Sequence, residues 1–534
     1  MNSAVEYLRK GRKDLFWKKC CGFLDLSIEE FMHIQERLLL EQIRLISKNP
    51  VGKHFLGESA PRTIEEFRWQ VPITTYENYE QFFDCDDRSY PDTAVWSHTS
   101  GRSGNYKWIP YTRRAYQKLG ERVLSGVVLA AARERGEIRV KEGDVLVYNT
   151  PPRPYISGVV LRALGEEFNF HFIPDMETTE DMEFQARIAM GFKEGMRSGI
   201  DILGSMSAVL VKMGEQFAQG AQTAKLSPAM LNPKTMTRMI RGYMRAKMEG
   251  RPMLPRDLWQ LKAMPCGGAD TGIYRDKISY YWGVEPYEQY GSTEEGAIAT
   301  QIWNKKYMTF FPDAAFYEFI PEEEFTEWKR DPFYTPKTVL LDEVVPNKRY
   351  EVVISNFYGK PLLRYRTYDI IKFPLIEDPE TGVRLPQMSF VARAMDFIDL
   401  AGWTGLIDER MVWQAIVNTG IKYVDWAIRK EAVDSEPHLQ LYIEPIDLFD
   451  PEPIQQKVHK ALKDLNPFYA DYEKMLEKRA LEVTLLAPGT FQSYMVEKQK
   501  AGADLAHLKP AHMNAPEDVI QMLLDCSGNC GSLN

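Results

Sequence analysis

The clearest helical pattern near the start of the chain opens at Ser27-Ile-Glu-Glu30, where a serine hydroxyl and a carboxylate three residues later form a capping box. Phe31, Ile34, Leu38 and Ile43 follow near helical spacing, which predicts an amphipathic helix. Asp144-Val-Leu-Val-Tyr148 is a short apolar run stopped by Asn149-Thr-Pro-Pro152, the mark of a buried strand entering a loop. From Met190 to Met253 methionine and long apolar side chains dominate, and a largely helical segment is expected. A methionine-rich surface can adapt to an irregular apolar ligand, but core packing is the plainer expectation. Tyr350-Glu-Val-Val-Ile354, a turn at Phe357–Lys360 and a return from Leu362 to Phe373 predict paired strands.

After Pro386 the pattern changes. Strand-like runs at Phe397–Leu400, Tyr423–Ile428, Leu439–Ile443 and Leu481–Leu486 alternate with helix-like runs at Asp408–Val417, Pro453–Leu465 and Phe491–Gly502. The expected fold class is α/β, with a large multi-subdomain N-terminal domain over 1–390 and a small α+β C-terminal domain over 391–534. The boundary falls near residues 385–396. No internal repeat is visible, which argues against a solenoid.

Composition narrows the picture. The chain has 534 residues, 44% hydrophobic and 26% charged, ordinary globular usage that excludes a disordered or collagen-like chain. Its 75 acidic and 66 basic groups give a formal charge of −9, so neither nucleic acid nor membrane is expected as a partner. Cys20, Cys21, Cys85, Cys266, Cys526 and Cys530 are too scattered for a disulfide framework, although Cys526 and Cys530 could pair or hold a metal. Met1–Leu26 carries charges throughout and has no signal-peptide core. The longest apolar runs, such as Val127–Ala132, fall far short of the roughly 20 residues a membrane span needs. A soluble protein of the cytoplasm is expected.

Three polar clusters carry the chemistry. In Trp96-Ser-His-Thr-Ser-Gly-Arg-Ser-Gly-Asn-Tyr-Lys-Trp-Ile-Pro110, Gly101 and Gly104 let the backbone turn amide N–H groups toward one anion. Thr99, Ser100 and Ser103 add hydroxyls, and Arg102 and Lys107 add charge, as a phosphate requires. The run matches neither the Walker pattern nor the dinucleotide glycine pattern. Glu288-Gln-Tyr-Gly-Ser-Thr-Glu-Glu295, read as following a strand, sets hydroxyls beside carboxylates, a combination suited to phosphate and Mg²⁺. Arg364-Tyr-Arg-Thr-Tyr-Asp369, read as ending a strand, offers an acid to both hydroxyls of a ribose. Each cluster alone reads equally well as a surface turn.

In this order the three resemble the adenylate-forming superfamily of acyl ligases and luciferase. Thr99-Ser-Gly-Arg-Ser-Gly-Asn-Tyr-Lys107 matches its Thr-Ser-Gly-Thr-Thr-Gly-x-Pro-Lys loop, Tyr290-Gly-Ser-Thr-Glu294 its Tyr-Gly-x-Thr-Glu motif, and Tyr365-Arg-Thr-Tyr-Asp369 its Tyr-Arg-Thr-Gly-Asp motif. Ala392-Arg-Ala-Met-Asp396 keeps only the Arg and the last Asp of the Gly-Arg-x-Asp-Asp hinge. Val71-Pro-Ile-Thr-Thr-Tyr-Glu77 is similar to a signature of the auxin-responsive acyl-acid amido synthetases, as are Gly489-Thr-Phe491, Gly502-Ala503 and Lys509-Pro510. Where plant members carry Lys-x-Pro-Arg, this chain reads Lys509-Pro-Ala-His512.

The resemblance implies that ATP and Mg²⁺ turn a small carboxylic acid into its acyl-adenylate, which an amine such as an amino acid then attacks. Ser100–Gly104 and Lys107 would hold the β- and γ-phosphates, and Arg102 exchanges a hydroxyl for a cation there. Tyr290, Gly291 and Ser292 lead to Thr293 on the α-phosphate and Glu294 on Mg²⁺. Asp369 would take the ribose; Gly267, Gly268 and Ala269 would flank adenine; Arg393 would sit at a mobile hinge over 392–396. Lys509 is the implied catalytic cation. A CoA ligase and a nucleotide-binding homologue without turnover are the rival readings. His98, beside the loop, is a weaker candidate base, and the His171-x-x-x-Asp175 spacing of some acyltransferases is expected by chance. The acid, the amine and the oligomeric state are not legible.

Overall fold

The computed structural model describes residues 3–83, 90–98, 107–178, 182, 184–223, 233–267, 271–330, 333–393, 397–398, 400, 407–433, 436–447, 450–476, 480–500 and 512–531. They divide into two compact units, the larger over residues 1–99 and 106–394, the smaller from residue 395 onward.

In the larger unit the Ser27 capping box forms. The Glu30 N–H donates to the Ser27 hydroxyl at 3.2 Å, and the Glu30 carboxylate accepts from the Ser27 N–H at 2.8 Å. The helix it starts, Ile28–Ile46, buries Phe31, Leu38 and Ile43 on one face. Two polar residues share that face. Gln35 donates to the Pro312 and Ala315 carbonyls (2.6 and 2.8 Å) and accepts from the Tyr317 N–H at 3.0 Å. Two turns later, Gln42 donates to the Lys360 carbonyl at 2.6 Å and accepts from the Gly359 N–H at 2.7 Å. The helix is thus clipped to buried backbone, a use of glutamine that apolar periodicity does not reveal.

That backbone belongs to the central sheet and its turns. A separate ribbon comes first in the chain, pairing β1 (Thr93–His98) with β2 (Trp108–Thr112). The strands of the central sheet are β3 (Val145–Asn149), β4 (His171–Ile173), β5 (Ile202–Met206), β6 (Pro265–Gly267), β7 (Tyr287–Ser292), β8 (Gly296–Gln301), β9 (Met308–Phe310), β10 (Ala315–Pro321), β11 (Arg349–Asn356), β12 (Tyr365–Leu375) and β13 (Gln387–Arg393). Across the sheet the order is β10-β11-β12-β13-β9-β8-β7-β6-β5-β3-β4. From β4 to β7 all pairings are parallel, and from β7 to β10 all are antiparallel. β7 belongs to both halves, parallel to β6 and antiparallel to β8, so the pairing sense changes there. On the outer edge of β10, Gln35 takes the Ala315 carbonyl and the Tyr317 N–H, and further along Phe319 pairs with Val339.

Two expectations shift. The methionine-rich stretch is helical over Phe184–Ser198, Ser207–Thr223 and Pro233–Met248, but β5 runs through it as a buried parallel strand too short for periodicity to separate from helix. Arg364–Asp369 starts β12 and places Asp369 within it, where the sequence suggests a strand end.

In the smaller unit β16 (Tyr423–Val433), β17 (Glu436–Pro445) and β18 (Leu481–Leu485) form a sheet, with β14 (Phe397–Ile398) and β15 (Ile407–Asp408) paired apart from it. Alternate residues face two cores. Trp426 and Ile428 pack with helices Glu409–Asn418 and Pro451–Leu465, while Ala427 and Tyr442 pack with Phe491, Ile520 and Leu523. Cys526 lies in that second core; the Cys530 side chain lies outside the described residues.

Gln35→Leu keeps the side-chain volume and removes three hydrogen bonds from buried backbone. It is expected to cost about 1–3 kcal/mol per group left unpaired, seen as a lower urea midpoint. His33→Leu, on the same helix but outside its buried face, should move that midpoint by less than about 0.5 kcal/mol equivalent.

Candidate functional site

Residues 293–295 form the tight turn between β7 and β8, whose register closes at Ser292↔Gly296. Gly296 leaves it at φ +76°, and a Cβ on Gly291 would stand 2.3 Å from the Gly296 carbonyl oxygen. The glycine of Tyr290-Gly-Ser-Thr-Glu294 is therefore fixed by contact between the two strands of the hairpin.

Beneath the turn lies a buried polar cluster. Glu295 accepts from Arg122 at 3.0 Å, from Asn356 at 2.6 Å and from Lys360 at 3.0 Å. Lys360, fully buried, also donates to the Glu294 carbonyl at 2.6 Å and sits 3.8 Å from the centroid of the Tyr111 ring. Burial pushes the Lys360 ammonium down to about 8, with the Glu295 charge opposing it, so it is still a cation at neutral pH. The turn backbone is held from below by a charge-assisted bond, while Glu294 itself stays half-buried.

Three tyrosines tie the turn to its neighbours. Tyr111 of β2 donates to the Thr293 carbonyl at 2.9 Å. Tyr365, at the head of β12, donates to one Glu294 carboxylate oxygen at 3.1 Å. Burial and then the Glu294 charge raise its phenol well above the usual range, which keeps it a donor. Tyr290 donates to Asp369 at 2.7 Å across the sheet. Thr293, Glu294 and Asp369 are thereby brought into one hydrogen-bonded neighbourhood.

The segment Val71–Phe82 joins that neighbourhood to Lys107. Thr74 donates to the Leu363 carbonyl at 2.6 Å and bridges to Tyr365, and the Tyr79 hydroxyl accepts from the Leu363 N–H at 2.8 Å. Tyr76 accepts from the Trp108 N–H at 2.8 Å and lies under the Lys107 ammonium, 5.1 Å from ring centroid to Nζ. At the carboxyl ends of the parallel strands, Gly267 closes β6, and its carbonyl accepts from the buried Ser207 hydroxyl at 3.4 Å.

Several candidate residues lie outside the described residues: Thr99, Ser100, Gly101, Arg102, Ser103, Gly104, Gly268, Ala269 and Lys509. Arg393 pairs with Asp369 in the β12–β13 register, and its side chain is also outside them. Near Lys509 the described chain resumes at His512. Its ring stacks on Trp426 at 4.5 Å and its Nε2 lies 2.7 Å from Asp425, so the residue standing where plant members carry Arg anchors that segment to β16.

The weaker candidates find structural roles. His98 is buried edge-on between Trp108 and Tyr155, at 4.8 and 4.6 Å between ring centroids. His171 is exposed, while Asp175 accepts from the Glu177 and Thr178 N–H groups in a turn of its own.

Three family models match the chain: the GH3 family N-terminal domain over residues 21–153, its central domain over 308–393 and its C-terminal domain over 409–517. The chain belongs to the GH3 family. No curated protein sequence matches it. Among solved structures it is similar to AtGH3.15 acyl acid amido synthetase in complex with 2,4-DB, with 18% identity over 95% of this chain and 96% of that one and a TM-score of 0.51. It is similar as well to 2-hydroxyisobutyryl-CoA ligase in complex with 2-HIB-AMP and CoA, with 13% identity over 91% and 94% of the two chains and a TM-score of 0.54. At these identities the likeness is one of fold: the α/β architecture of adenylate-forming enzymes, with a large N-terminal and a smaller C-terminal domain. The Tyr290-Gly-Ser-Thr-Glu294 turn is underpinned by Arg122, Asn356 and Lys360, residues that sequence reasoning missed because only the adjacent Glu294-Glu295 pair hints at a second, inward-facing acid.

The two neighbouring glutamates should separate in a stability measurement. Glu295→Gln unbalances two buried cations and is expected to cost about 3–5 kcal/mol in chemical denaturation, against about 1 kcal/mol for Glu294→Gln.

Proposed function

We propose that this GH3-family protein is an ATP- and Mg²⁺-dependent acid–amine ligase. The observation that carries the reading is the convergence of Thr293, Glu294 and Asp369 at the carboxyl end of β7, held by Tyr111, Tyr365 and Tyr290.

In the first half-reaction a carboxylate oxygen of the acid attacks the α-phosphorus of ATP. The bond to the β-phosphate oxygen breaks, and pyrophosphate leaves with its electron pair. Asp369 accepts from the ribose hydroxyls, Thr293 donates to the α-phosphate, and Gly267–Ala269 flank the adenine. Ser100–Gly104 and Lys107 carry the β- and γ-phosphates, with Arg102 adding a planar cation suited to phosphate. Glu294 is a hard oxygen donor whose carboxylate is already fixed at one oxygen by Tyr365, which fits a magnesium ion that keeps most of its waters. Bound there, the ion would offset negative charge on the phosphates.

In the second half-reaction a neutral amine attacks the acyl carbonyl. The carbonyl carbon–phosphate oxygen bond breaks, AMP leaves with the electron pair, and the amine's proton passes to solvent. Lys509 is the cation assigned to the first half-reaction, to charge developing on the α-phosphate and the attacking carboxylate, and rotation about residues 392–396, with Arg393, separates the two steps. The scattered cysteines, of which Cys20, Cys21, Cys266 and Cys526 are buried free thiols, support a cytoplasmic enzyme. No helix among the described residues is long and apolar enough to cross a membrane.

The deciding experiment measures pyrophosphate release over a panel of acids crossed with amino acids, other amines and CoA, with product masses recorded. An amide product and AMP support the reading; a thioester alone replaces it with the CoA-ligase reading, and ATP binding with no pyrophosphate from any acid leaves a binding protein. In the active pair, Glu294→Gln and Lys509→Ala should each lower kcat for adenylation by roughly 10²–10³ with thermal midpoints little changed. Equal loss of midpoint and rate for Glu294→Gln would remove its metal role.

A further inference from the structure

The helix Pro233–Met248 is amphipathic with its faces reversed. Its inward side carries the buried small residues Thr235, Gly242 and Ala246, with Met239 partly buried against the core beside them. A Cβ on Gly242 would lie 3.0 Å from the Asp257 carbonyl oxygen, so the helix packs closely on the Pro255–Leu258 segment. Arg238 fastens it further by donating to the Met196 and Arg197 carbonyls at 2.8 and 3.1 Å, at the end of helix Phe184–Ser198. Its other large apolar side chains point outward. Met236, Ile240, Tyr243, Met244 and Met248 are 52%, 52%, 61%, 58% and 86% exposed. At about 100° per residue their spacing gathers them on one arc of roughly 140°. A helix of a globular protein normally turns such an arc inward.

The charge around this arc is one-sided. Arg241 and Arg245 run along one margin and Lys247 stands within it, all exposed. Glu249, at the end of the helix, is paired with Arg251 at 2.6 Å. The chain as a whole is acidic at −9, so the strip is a local concentration that the net figure conceals. A second copy of the same face would oppose these cations with like charge. Exposed apolar residues flanked by Lys and Arg on one face of a helix are what lying in the headgroup plane of an anionic bilayer requires.

We propose that helix Pro233–Met248 docks the protein on an anionic lipid surface. The arc from Met236 to Met248 enters the headgroup boundary, and Arg241, Arg245 and Lys247 meet lipid phosphates while their stems lie along the apolar layer. This amends the expectation, drawn from net charge, that no membrane is a partner. It does not depend on the ligase reading.

The test is co-sedimentation of the full chain with vesicles of phosphatidylcholine alone and of phosphatidylcholine with roughly one-third phosphatidylglycerol. The wild-type protein should bind the anionic vesicles, more weakly as salt is raised, and leave the neutral ones largely free. Ile240→Glu/Met244→Glu and Arg241→Glu/Arg245→Glu should each lower partitioning roughly tenfold or more, with thermal midpoints unchanged. Met248→Glu, at the exposed end of the helix, gives the same reading should a double variant melt early. Wild-type protein left in the supernatant with anionic vesicles overturns the proposal, as does equal binding by all the variants. A dimer in light scattering that Ile240→Glu/Met244→Glu dissociates, without vesicle binding, assigns the face to self-association and also overturns it.

Discussion

One buried carboxylate sets the geometry on which the site depends. Glu295 is shared by Arg122, Asn356 and Lys360 in the interior of the larger unit, where a charge without partners would be costly. The sharing fixes Lys360, and Lys360 in turn holds the Glu294 carbonyl. The turn that presents Thr293 and Glu294 therefore has a charged foundation, and its two acids differ in setting: Glu295 faces inward and holds structure, while Glu294 stays half-buried. Gln42 extends the support by binding both the Lys360 carbonyl and the Gly359 N–H from helix Ile28–Ile46. Residues far apart in the chain thus bear on one hairpin.

The sheet explains which elements the hairpin can draw on. β7 is parallel to β6 and antiparallel to β8, so its carboxyl end has crossover connections on one side and a tight turn on the other. Gly267 ends β6 on the same side, and Asp369 reaches the turn through Tyr290 from the antiparallel half. The site draws on both halves of the sheet, which is why its residues are widely separated in the chain.

Much of this is legible in the sequence. The Ser27 helix, the strand after Asp144, the β11–β12 pair and the alternating α+β pattern after Pro386 follow from local chemistry and period alone. β5 does not emerge, because a short buried run has no period to distinguish it from helix. Asp369 reads as the end of a strand and lies inside one, since a run of polar residues at a strand's head looks like a turn. In the site, Tyr290, Thr293, Glu294 and Asp369 carry recognisable motifs. Tyr111, Asn356 and Lys360 do not, because their part is set by what lies opposite them in space. The Val71–Phe82 segment shows the mixed case: its Val-Pro and Tyr-Glu are visible, but only the fold shows Tyr76 meeting Trp108 and Thr74 meeting Leu363.

We propose that these residues serve a single nucleotide, and a crystal structure of the protein with ATP and Mg²⁺ is the decisive measurement. The expected result is one ATP molecule with its ribose hydroxyls on the Asp369 carboxylate, its α-phosphate at the Thr293 hydroxyl and its adenine beside Gly267. Nucleotide bound away from the β7–β8 turn, or Asp369 and Thr293 with no ligand in common, would contradict it.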